Sequence, residues 1–389
     1  MPRRSLEVPV DSKVLAWARK SIGLSPVDVS KRLGVSTDLV GRWESGHKYP
    51  TLKTLEKLAN LYKRSLAVFF LSKPPKELPF PKDFRSLPKE ERQPLSPKAR
   101  LAIRNARRMQ SLTIELIKGT RRTITSKIKK VKVSDDPEVL SRKIRQELGV
   151  EIEAQVKWRN NNQAFNEWRT AVERLGIFVF QMSIPLEEMR AFSLTDKQPQ
   201  VIVLNKKDSI TARIFSLFHE LAHLLLGSGG ICNMEEYRGS FSSEGAVEKF
   251  CNHFAGALLV PSQCVLIYKD IRSFSYPDIR FDEILKRSAG KFKISQEVML
   301  RRLLICRIIK KDAYERKREE WKAKGWKPPK SGFSPDPARR CIRERGIPFI
   351  DLTIEAYRQG QITYSDVADY LSVRTKYLPK IEKLIQSNF

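Results

Sequence analysis

The sequence predicts a multidomain, mainly α protein. An all-α bundle is expected at its N-terminus, a central α+β region with a small sheet in the middle, and a small helical module at its C-terminus. Three observations predict this. The chain has 389 residues, enough for two or three domains at roughly 150 residues each. Helix-start and helix-stop residues recur through the first 71 positions and again beyond position 136. Runs of β type are confined to three short stretches between positions 176 and 204. The expected divisions are 1–71, a Pro-rich linker at 72–97, a central domain at 98–325 and a terminal module at 326–389.

Each element has a local reason. Ser25-Pro26-Val27-Asp28 places a capping hydroxyl, a proline at the first helical position and an acid at the positive end of a helix dipole. That helix should stop at Gly34, which can turn left-handed. Ser36 can cap a second helix that ends at Gly46, and Thr51 a third whose inner face is Leu52, Leu55, Leu58, Ala59 and Tyr62. Prolines 74, 75, 79, 81, 88, 94 and 97 exclude a continuous helix in the linker. Arg100, Arg104, Arg107 and Arg108 then share one helical face, and no acid interrupts Lys118 to Lys132. Positions 136–175 read as helical, followed by strands in 176–184, 190–194 and 201–204. A helix should run from Ser209 to Leu226 and stop at Gly227, and another from Ser243 to Leu259 before Pro261. Near the end, Thr363-Tyr-Ser-Asp366 has the form of a capping box, favouring a plain packing module over a second DNA-reading unit.

Charge narrows the class of partner. Lys plus Arg is 73 and Asp plus Glu is 44, so the net charge is 73 − 44 = +29, the footprint of a protein that sits on a polyanion. Apolar residues make up 41%, enough to build cores, which excludes a disordered basic tail. No apolar run approaches the roughly 20 residues of a membrane helix, and Met1-Pro-Arg-Arg opens no signal peptide, so a cytoplasmic protein is expected. The five cysteines have no CxxC spacing and read as reduced thiols in core positions.

The helix, glycine turn and helix over positions 25–44 have the spacing of a DNA-reading pair. Val29, Leu33, Val35, Val40 and Trp43 would fix the angle between the helices. Thr37, Asp38 and Arg42 would then face base edges, with Lys31, Arg32 and Lys48 as phosphate partners. Together with Leu15-Ala16-Trp17-Ala18-Arg19 and Trp43-Glu44-Ser45-Gly46…Tyr49-Pro50-Thr51-Leu52, positions 11–71 resemble the XRE/Cro-type helix-turn-helix family. Double-stranded DNA is the partner this implies, and a homodimer is compatible with it.

His219-Glu220-Leu221-Ala222-His223 lies inside the helix expected at 209–226. Residues i and i+4 share a helical face, so both imidazoles can reach one ion. Glu220 stands beside that ion, where a carboxylate can take a proton from water. Ile214, Phe215, Phe218, Leu221, Leu224 and Leu225 make the helix apolar on most sides. Polar groups in such a setting are costly unless paired or metal-bound. A catalytic zinc needs a third protein ligand. The following helix offers Glu244, Glu248 and His253, and spacing does not choose among them.

Glu248-Lys-Phe-Cys251-Asn252-His-Phe254-Ala255-Gly-Ala-Leu258-Leu259-Val-Pro261, following the HExxH run, resembles the ImmA/IrrE family of zinc metallopeptidases. Cys251 stands where that pattern has alanine. Pro81-Lys82-Asp83-Phe84-Arg85, the strand at 201–205 and Lys293-Ile294-Ser295-Gln296-Glu297…Arg301-Arg302-Leu303 extend the likeness over most of positions 11–310. The resemblance implies a zincin-like central domain with one catalytic Zn2+ on His219, His223 and Glu248 and with Glu220 as general base. It also implies a protein substrate, a helix-turn-helix repressor, and a place in transcriptional or stress regulation. Arg302 and Tyr237 are candidates for a second oxyanion donor, and the strand at 201–204 for pairing with an extended substrate. The basic stretches at 98–132 and 301–330, with Trp321 and Trp326, suit single-stranded DNA and raise activation by nucleic acid. The rival expectation is an XRE-type regulator, or an antitoxin, whose peptidase-like domain senses a ligand or partner and cleaves nothing.

Overall fold

The structure, a computed structural model, describes residues 6–78, 80–83, 94–232, 243–266, 279–323 and 336–386. Two compact units emerge: Met1–Phe80 with Gln93–Arg104, and Pro81–Arg92 with Asn105–Phe389.

The first unit is a helical bundle of α1 (Ser12–Ile22), α2 (Pro26–Leu33), α3 (Thr37–Ser45) and α4 (Leu52–Tyr62), closed by a 3-10 turn at Leu66–Phe70. Its caps are those the residue types dictate. Ser25 and Asp28 form a reciprocal box, Ser36 and Thr51 each accept from the amide three residues on, and Gly34 and Gly46 turn left-handed. Val14, Ala18, Val29, Val40, Trp43, Leu55, Leu58 and Tyr62 form the core. Leu52 departs from expectation at 40% exposed. It is the first residue of α4, and its backbone, not its side chain, is engaged, bonding the Leu6 carbonyl at 3.1 Å.

In the second unit, helices surround a small sheet. The chain passes β1 (Lys82–Asp83) and α5 (Pro97–Thr120), the helix that begins in the first unit's segment. Three helices follow: α6 (Pro137–Leu148), α7 (Ile152–Lys157) and α8 (Asn161–Glu173). Next come β2 (Phe178–Met182), β3 (Ala191–Leu194), β4 (Val201–Asn205), α9 (Ile210–Leu226), β5 (Gly230–Cys232) and α10 (Ser243–Leu259). The remaining helices are α11 (Ser262–Leu266), α12 (Ile279–Phe292), α13 (Gln296–Ile305), α14 (Lys311–Ala323), α15 (Pro337–Arg345), α16 (Ile347–Arg358), α17 (Tyr364–Leu371) and α18 (Leu378–Gln386).

The sheet has five strands in the order β1-β5-β3-β4-β2, two more than the β-type runs predict. The additions, β1 and β5, span two and three residues, too few for any alternation to register. β4 lies inside the sheet, antiparallel to β3 and parallel to β2. Both its backbone edges are therefore occupied, and the expected pairing of residues 201–204 with an extended substrate is excluded.

α9 packs against α8 and α10 and against β3 and β4. Burial on all sides explains its nearly continuous apolar sequence. Phe218 meets Trp168 of α8 edge-on at 4.8 Å between ring centroids, and Trp168 meets Trp158 in the same way at 5.3 Å. The C-terminal helices also belong to this unit. Phe349 of α16 sits edge-on to Phe180 of β2 at 5.6 Å, and Gln181 donates to the Arg343 carbonyl of α15 at 2.8 Å. The Thr363–Asp366 box opens α17 as expected.

Candidate metal centre

α9 begins at the Ser209 cap and ends at Gly227, whose φ of +67° is natural to glycine. Between them, His219 and His223 stand one turn apart, and both are fully buried. Glu248, near the middle of α10, reaches across to both. Its Oε1 lies 3.1 Å from His223 Nε2 and its Oε2 3.4 Å from His219 Nε2, while the two Nε2 atoms are 3.1 Å apart. Among the described residues, this is the cluster able to hold a metal ion.

These distances allow a test of fit. A tetrahedral zinc with bonds of about 2.0–2.1 Å sets its ligand atoms roughly 3.3 Å apart, close to these separations of 3.1–3.4 Å, in which Glu248 meets the two imidazoles with different oxygens. The far nitrogen of each ring is also engaged. His219 Nδ1 lies 3.1 Å from Asn252 Oδ1 and His223 Nδ1 3.3 Å from Ser228 Oγ. Because the Asn252 oxygen can only accept, His219 must carry its proton on Nδ1 when neutral, leaving a lone pair on Nε2. Nitrogen and carboxylate donors converging in a dry site suit a divalent cation of the zinc class.

Electrostatics agree with that fit. Burial pulls the His219 imidazole down, but the Glu248 carboxylate outweighs it and the net shift is upward. Burial pushes Glu248 up, and the two imidazoles more than reverse it, holding the carboxyl well below its ordinary range. Glu220 differs: burial raises its pKa, with His223, His219 and Ser193 opposing. The neighbouring Ser193 hydroxyl of β3 is the hydrogen-bonding group directed at the Glu220 carboxyl. A fully buried carboxylate is costly unless it is paired or lies beside a cation, and Glu220 adjoins the three groups that could hold one.

Other expectations resolve separately. His253 turns away from the cluster and meets Glu138 of α6 at 2.7 Å. Arg302 is not available as an oxyanion donor. It is fully buried, donates to the Val260 carbonyl at 2.9 Å and forks onto Glu138 at 2.6 and 3.2 Å. That clamp ties α13 to α6 and α10. Tyr237, Trp326, Phe84 and Arg85 lie outside the described residues, as does the side chain of Glu244. Burial, Glu248 and Glu220 push the Cys251 thiol well up, and its sulfur is not among the converging ligand atoms. Trp321 packs against the core with the Lys317 ammonium 5.7 Å from its ring centroid, and Lys317 is held by Asp282 and Glu320. Arg104 likewise caps the carbonyls of Tyr62 and Lys63, so part of the basic α5 stripe is structural. The roles of Asn252, Ser228 and Ser193 were not read from sequence. Asn252 stood in the quoted motif, but its partner is 33 positions away.

On α3, Thr37, Asp38 and Arg42 are exposed, as are Lys31, Arg32 and Lys48. Thr37 donates to Ser30 of α2 at 3.1 Å, and Arg42 pairs with Asp38 at 2.8 Å one turn away. Behind them, Arg19 of α1 forks onto Glu44 of α3 at 2.6 and 2.7 Å. The Trp43-Glu44 signature is thereby explained: one residue fills the core and the next locks α3 to α1.

Comparison with known families agrees with this geometry. Residues 172–304 match the family described as IrrE N-terminal-like domain, and residues 15–69 match the helix-turn-helix family. The chain thus joins a helix-turn-helix domain to a domain of metallopeptidase-type fold. No curated protein matches the chain.

Proposed function

From a chain that joins a helix-turn-helix domain to an IrrE N-terminal-like domain, we propose a DNA-binding, zinc-dependent metalloendopeptidase acting in transcriptional and stress regulation. The observation that carries this reading is the convergence of His219, His223 and Glu248 in a buried site that also holds the Glu220 carboxyl. His219, His223 and Glu248 would hold the ion. When bound, zinc supplies Lewis acidity to water and to a carbonyl oxygen. Glu220 takes the proton of the attacking water and passes it to the nitrogen of the leaving amine.

The substrate is a protein, with a helix-turn-helix repressor as the class proposed, and the compartment is the cytoplasm. The partner of α3 is duplex DNA. Exposed Lys127, Lys129, Lys130 and Lys132 favour a single strand along residues 98–132, with nucleic acid as an activator of cleavage. Replacing Glu220 with Gln keeps the shape and removes the base. Cleavage of XRE-type repressors should fall by about 10²–10⁴-fold while zinc content and DNA binding persist. Unchanged cleavage by E220Q would remove Glu220 from its role.

One observation favours the rival reading of a regulator with a sensing domain. His219, Glu220 and His223 are fully buried, and Glu248 nearly so. A polypeptide must gain access to such a site, whereas a small ligand or a partner-induced shift need not expose it. A wild-type chain that binds zinc and cleaves none of a repressor panel would support that reading.

A further inference from the structure

Two pairs of residues face each other across α9 and α10, each pair one helical turn apart: His219 and His223 on α9, Glu248 and Asn252 on α10. Glu248 reaches the inner nitrogens of both imidazoles, and Asn252 reaches the outer nitrogen of His219. One helix face thus supplies a ligand and also grips a ligand belonging to its neighbour. We infer that Asn252 is a positioning residue of the metal centre, its Oδ1 accepting the Nδ1 proton of His219 and so presenting Nε2 to the ion. This rests on the reading of His219, His223 and Glu248 as metal ligands.

The physical case has two parts. Without an acceptor on its outer side, the His219 ring can rotate about its Cβ–Cγ bond or place its proton on Nε2, and either change removes a donor from the ion. An acceptor on the outer nitrogen fixes tautomer and orientation together and makes the inner nitrogen more basic. Second, His219 and Asn252 are both buried, so little water is at hand to replace the contact.

The test uses the full chain, Zn2+ with a chromogenic competing chelator, and Co2+ as a spectroscopic probe. Asn252→Leu preserves bulk and deletes the acceptor. It should weaken Zn2+ binding by roughly 10- to 100-fold and alter the d–d bands of the Co2+ form. Asn252→Asp keeps an acceptor at the same place and should return both readouts to the wild-type range, a rescue that a packing role would not give. Circular dichroism and melting of the metal-free proteins check the fold, and Asn252→Ala replaces the Leu variant if that does not fold. The inference is overturned if Asn252→Leu binds Zn2+ as tightly as wild type with an unchanged Co2+ spectrum, or if Asn252→Asp is as weak as Asn252→Leu. Wild-type protein that takes up no Zn2+ would instead sink the ligand assignment itself, and this inference with it.

Discussion

Arg19 and Glu44 are 25 positions apart and form a bidentate pair whose side chains are 9% and 15% exposed. Arg19 also donates to the Leu24 carbonyl at 2.7 Å, so one guanidinium ties α1, the loop after it and α3. Breaking such a pair leaves a charge with little water and no partner, at a cost of about 3 kcal/mol. Arg19→Ala should therefore speed amide hydrogen exchange across residues 12–62 well before α9 is affected, and equal protection in the variant would show the pair to be incidental. Arg19 and Glu44 were both visible in the sequence as parts of a family pattern. Their contact was not, because pairing across 25 positions has no periodic signature. The same holds for Asn252, while His219, Glu220 and His223 could be read directly, since one helical turn brings i and i+4 together.

Among the elements, those with ends marked by caps were the most legible. Ser209, Gly227, Ser25 and Gly34 delimit helices by unpaired amides and left-handed turns, and these are local chemistry. β1 and β5 were illegible for the opposite reason: strands of two and three residues exist only through their neighbours. α6, α10 and α13 depend on a contact of intermediate kind, the Glu138 carboxylate shared by His253 and Arg302. Burial raises the Glu138 pKa, but His253 and Arg302 more than reverse this and hold it at about 2, below the ordinary carboxylate value. A depressed pKa contributes stability that is complete above the unfolded value and is lost as pH falls through the folded one. Glu138→Gln should thus lower the urea midpoint at neutral pH, and the gap from wild type should close between about pH 5 and pH 2. A gap independent of pH would show that the ionic contribution is absent.

For the molecule as a whole, the excess of 73 basic over 44 acidic residues sets the response to salt. DNA affinity should fall steeply and linearly on a log–log plot as counterions compete for the phosphates. Lys48→Ala should weaken binding to every sequence alike and flatten that slope by about one unit. A selective loss for one DNA sequence would reassign Lys48 to base reading. The charge alone named the polyanion, but it did not say which basic residues remain available. Arg104, Arg145, Arg302 and Lys317 are spent on internal carbonyls and carboxylates, and that division appears only once the chain is folded.

The contact between β2 and the last helices carries an evolutionary consequence. Phe180 and Phe349 are both fully enclosed, and each hides the other. A gene shortened before Pro337 would still encode every residue of the HExxH centre, yet its product would carry a bare aromatic strip on the rim of its sheet. Descendants of this chain can lengthen or redecorate the tail, but they cannot discard it without recruiting something greasy to lie in the same place.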